Sequence, residues 1–62
     1  MRTKSEDLLI EGLLRLLDAT RPPLSMEEHD QIELALAATE DVALTEEELR
    51  LIYRRCRELA GP

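Results

Sequence analysis

The sequence predicts an all-α fold, a compact three-helix unit spanning residues 1–62 and assembled as a homodimeric helical bundle. Three observations lead there. Three segments repeat apolar residues at the helical period, and none alternates as a half-buried strand does. Turn chemistry separates them, at Arg21-Pro22-Pro23 and around Glu40-Asp41. Finally, a chain of 62 residues with Tyr53 as its one aromatic and Cys56 as its one cysteine has no Phe or Trp to fill its core, no intrachain disulfide and no zinc pattern, so a second chain is the expected staple.

The first helix is expected over about residues 5–19, with Thr3 or Ser5 as its N-cap. Pro22 and Pro23 end it, because proline donates nothing to the helical ladder and disfavours helix in the residue before it. Leu9, Ile10, Leu13, Leu14, Leu16 and Leu17 fill a broad arc that Leu8 and Ala19 extend. That arc is about twice the ~100° stripe a surface helix needs, so more than one neighbour has to cover it. Leu14 stands at its edge beside Asp7 and Asp18, where an intrachain core is expected to leave it wet.

The second helix, about 26–39, starts at a capping-box pattern of Ser25 and Glu28. Its inner face is Ile32, Ala35 and Leu36, and Leu34 with Ala38 lies on the other side. The third helix, about 46–60, repeats the box at Thr45 and Glu48, with Leu44 and Leu49 at the staple positions, and stops at Gly61-Pro62. Leu49, Ile52, Tyr53, Cys56, Leu59 and Ala60 share one face, and Arg50, Arg54 and Arg57 share another. Cys56 reads as a small core residue.

The net charge of -6 opposes general affinity for nucleic acid or anionic membrane. No apolar run approaches the ~20 residues of a membrane span and no signal-peptide pattern is present, so a soluble, cytoplasmic protein is expected. His29 and Glu33 are spaced as two metal ligands, but two do not make a site, and neither a catalytic motif nor a phosphate loop occurs. The expectation is a protein that is not an enzyme and uses no cofactor.

The third helix runs from three acids into four arginines, Arg50, Arg54, Arg55 and Arg57. In a helix-turn-helix they would face nucleic acid, yet the end such a helix presents to the groove is here Glu46-Glu47-Glu48. Acids in a first turn and bases in a last turn also complement the helix dipole with no ligand at all. Residues 25–48 carry nine acids and neither Lys nor Arg, a ready counterpart for basic side chains.

Met1, Arg2, Ser5, Leu8, Leu9, Ile10 and Glu11 form an opening that resembles the start of the small Sda-type checkpoint inhibitors of sporulation histidine kinases. The resemblance covers the first helix and implies a helical hairpin that binds a kinase's dimerisation and phosphotransfer region. The chain departs from that pattern at Gly12-Leu13-Leu14 and in having a third helix. The function expected from these readings is a small regulator or adaptor, inhibitor-like, that docks on another protein. Its binding surface is either the Leu-rich first helix, through Leu8, Leu9, Leu13, Leu14 and Leu17, or the acidic region, through Glu27, Glu28, Asp30 and Glu33. The alternatives are a DNA-binding protein using the four arginines and a structural assembly subunit.

Overall fold

The computed structural model describes residues 1–61. Its elements are three helices: α1 over Lys4–Ala19, α2 over Met26–Ala38 and α3 over Glu46–Ala60. The expected elements are all present, with ends within a residue of the periodicity.

Each helix opens on a complete capping box. At α1 the Thr3 hydroxyl accepts from the Glu6 N–H at 3.1 Å while Glu6 accepts from the Thr3 N–H at 2.8 Å. Thr3 is therefore the cap, and the matching Glu6 makes this a third copy of the device seen at Ser25–Glu28 and Thr45–Glu48. Each box satisfies two N–H groups that a helix start otherwise leaves without partners, which fixes where the helix begins.

The ends are closed differently. Thr20 and Thr39 are buried, and each turns its hydroxyl back to donate to a carbonyl of the last turn: Thr20 to Leu16 at 2.6 Å, Thr39 to Leu36 at 3.0 Å. A buried threonine is satisfied this way without leaving the helix end. Gly61 closes α3 at φ +83°, a conformation that costs glycine nothing and a side chain about 1 kcal/mol or more.

α1 is the middle of the molecule. It packs against both α2 and α3, whereas no Cα of α2 lies within 8 Å of a Cα of α3. Arg2 reaches Glu48 at one end of the α1–α3 pair and Arg55 reaches Leu17 at the other, so those two helices run parallel. Leu13 and Leu17 of α1, Ile32 of α2, and Ile52 and Leu59 of α3 form the buried cluster. Leu13 and Leu17 are 1% and 0% exposed, and each such leucine contributes roughly 1.5 to 3 kcal/mol relative to leaving it in water.

Two expectations for α1 need correcting. Leu13 and Leu17 are wholly occupied by the intrachain core, so they cannot form a protein-binding surface. Leu14 is half-buried against that core and not largely wet, because α3 packs on its side of α1, with Leu51 across the groove that both residues line.

Candidate functional site

With the core subtracted, three faces remain. The first is the outward side of α1, where Leu8 is 68% and Leu9 44% exposed. Gly12 stands among them, and nothing lies within 4 Å of where a side chain on it would begin.

The second face is the outer side of α2. Leu34, 71% exposed, projects there with Ala37 beside Asp30 and Glu33. α2 has apolar residues on both sides, so one set is buried and the other has no cover in its own chain. Of the acids expected to bind here, Glu27, Asp30 and Glu33 are exposed, but Glu28 is half-buried with one oxygen held by the Ser25 N–H. His29 points Nδ1 at Asp30, 3.7 Å away, and Nε2 at Glu33, 3.6 Å away. Their three potential ligand atoms lie within 4.8 Å of one another, and among the described residues no other helix adds a ligand. A metal held this way would keep its remaining positions open to water and lack a supporting shell, an arrangement that favours weak binding.

The third face is on α3. Arg50, Arg54 and Arg57 are exposed along one stripe, and Tyr53, expected on the apolar face with Ile52 and Leu59, stands among them instead at 67% exposed, because only the Ile52–Leu59 side of α3 turns toward the core. Arg50 pairs loosely with Glu46 at 3.9 Å, and Arg54 and Arg57 form no ion pair among the described residues. Arg55 does not belong to this stripe. Its Nη2 donates to the carbonyls of Leu17 at 2.8 Å and Thr20 at 3.1 Å, its Nε to Leu17 at 3.2 Å, and its Nη1 to Glu58 at 2.6 Å. A guanidinium presents a rigid fork of donors, and this one caps the carbonyl end of α1, where the helix dipole welcomes a cation. Arg55 is thus removed from the nucleic-acid candidates by an architectural role that the spacing of residues in α3 could not disclose.

Cys56 is half-buried on the wall of an apolar groove of about 240 Å³ between α2 and α3, with Leu24, Ile32, Leu36 and Leu59. Burial pushes its thiol above the ordinary range, which opposes the thiolate form that reacts. The groove is smaller than the ~300 Å³ at which small-molecule sites begin.

No helix among the described residues is long and apolar enough to cross a membrane. Comparison with protein families, with curated proteins and with solved structures found no match to the chain.

Proposed function

We propose that this protein is a small non-enzymatic regulator or adaptor that docks, through the outer face of α2, on a basic surface of another protein. The observation that carries the reading is Leu34, a large apolar side chain exposed beside Ala37 with Asp30 and Glu33 at the rim. An apolar centre inside a polar rim is the usual anatomy of a protein interface. The exposed acids of α2, Glu27, Asp30 and Glu33, add a negative field that steers a basic partner toward this helix and repels acidic ones. The opening's resemblance to kinase checkpoint inhibitors supports the inhibitor side of the reading. A cytoplasmic setting suits a lone thiol kept protonated in a half-buried site.

A second reading, nucleic-acid binding through Arg50, Arg54 and Arg57, is favoured by the exposed Tyr53 among those arginines. It is opposed by the net charge of -6 and by the three acids at the start of α3.

Affinity capture from the native host, run in parallel with the unaltered chain and with Leu34→Lys plus Asp30→Lys, separates these readings. A captured protein with a basic surface should be lost with the double variant, and its retention should weaken with salt. Capture that survives both substitutions would sink the α2 reading. Binding of random duplex that Arg54→Ala plus Arg57→Ala abolishes would put the second reading first.

A further inference from the structure

We propose that the outward face of α1 is an interface with a second copy of this chain, packed antiparallel across a two-fold axis at Gly12. The proposal stands on α1 alone and is independent of the reading of α2.

A glycine inside a helix is less favourable than alanine, and Gly12 lies mid-helix with no positive φ and no close intrachain neighbour to require it. It lies on the exposed side with Leu8 and Leu9, which the chain leaves uncovered. A second helix approaching closely at this point accounts for all three residues.

The occupant is read from the symmetry of the face. Counting outward from Gly12, Leu8 and Leu16 lie four residues away on either side, and the small residues Ser5 and Ala19 lie seven away. An axis beside Gly12, perpendicular to α1, sets Leu8 against Leu16 of the second copy and Ser5 against Ala19. That self-complementarity is what a two-fold interface demands. Leu16 is half-buried against its own core, so it offers an edge to this contact while Leu8 offers its whole side chain.

The charges beside the stripe fit the same operation. On the flank facing α3, Arg15 comes level with Glu11 of the second copy to within two residues, about 3 Å of rise, and Lys4 comes equally near Asp18. Arg15 already holds its own Glu11 at 2.8 Å, so the two copies would share a neutral cluster of two Glu and two Arg. Parallel pairing would instead carry this flank of the second copy to the far side of the contact, so Arg15 and Lys4 would find neither Glu11 nor Asp18 of the second copy beside them.

The test uses the full chain in a Cys56→Ala background. Light scattering at micromolar concentration should report a dimer. Gly12→Cys, alone on the axis, should oxidise to a covalent dimer. Ser5→Cys should not cross-link to itself but should do so when mixed with Ala19→Cys. In the unaltered background, Gly12→Glu should keep or raise helicity, glutamate being the better helix former, while weakening the dimer by at least about tenfold through like charges meeting on the axis. A monomer throughout, self-cross-linking of Ser5→Cys, or an undisturbed Gly12→Glu dimer would each overturn the proposal. None of these positions is on α2, so their outcome leaves partner capture through Leu34 to be judged separately.

Discussion

The guanidinium of Arg2 donates to Asp7 at 2.7 Å and to Glu48 at 2.5 Å, so the residue ahead of the first helix cap reaches the capping box of the last helix. Glu48 then serves two masters, since the same carboxylate oxygen also accepts from the Thr45 N–H at 3.0 Å. The Arg2 contact first, and the backbone bond second, hold the Glu48 carboxyl below the usual carboxylate range. Glu6 is held low as well, chiefly by the Thr3 N–H it accepts in its own box. A carboxyl whose folded pKa is depressed contributes fully above its unfolded value, about 4.3 for glutamate, and loses that contribution as pH falls through the folded one. Stability is therefore expected to be level from neutral pH down to that range and to fall below it. Glu48→Gln should lower the urea midpoint at about pH 7 and shrink the further drop on going to about pH 3, because the amide neither pairs with Arg2 as an ion nor titrates. Equal acid sensitivity in the two proteins would exclude Glu48 as a source of that fall.

At the level of the helices, Arg55 ties α3 to the carbonyl end of α1 by three hydrogen bonds to two carbonyl oxygens, with side-chain exposure of 24%. Arg55→Met keeps most of the packing stem and removes the donors, and should cost about 1 to 3 kcal/mol, seen as a lower melting midpoint with helicity retained below it. Arg54→Met, at an exposed position without such bonds, should change stability within about 0.5 kcal/mol. Helix existence and helix starts were legible in the sequence because they rest on local signals: a 3.6-residue period and a hydroxyl three residues before a glutamate. Thr3–Glu6 carried the same signal as the other two boxes and could have been read the same way. The division of the leucines of α1 was not legible, since Leu13, Leu14 and Leu8 differ only in what lies opposite them, and that depends on which helices pack on which side. Arg55 was hidden for the same reason: its partners are 35 and 38 residues away along the chain. The expected acidic surface keeps Glu27, Asp30 and Glu33, but Glu28 is held by its cap, a role its capping pattern had already announced. Leu34 was visible as an apolar residue on the far side of α2, although the period alone gave no sign of how fully it would be exposed.

Across the whole molecule, the parts are held together by one element. α1 supplies Ile10, Leu13 and Leu17, the three most deeply buried large side chains, and faces α2 on one side and α3 on the other. The backbones of α2 and α3 keep apart and meet only through side chains, so each is expected to detach while the other stays docked, giving two partial openings below global unfolding. Amide hydrogen exchange should resolve them. Amides around residues 10–17 of α1 should exchange only by complete unfolding, whereas those of α2 and of α3 should exchange sooner and with different denaturant dependence. A single rate class for all three helices would show instead that the shared side chains of Ile32, Ile52 and Leu59 lock the flanks together. If two openings are found, each flank keeps its own clock: an event that loosens α2 reaches the arginine stripe of α3 only by way of the helix between them.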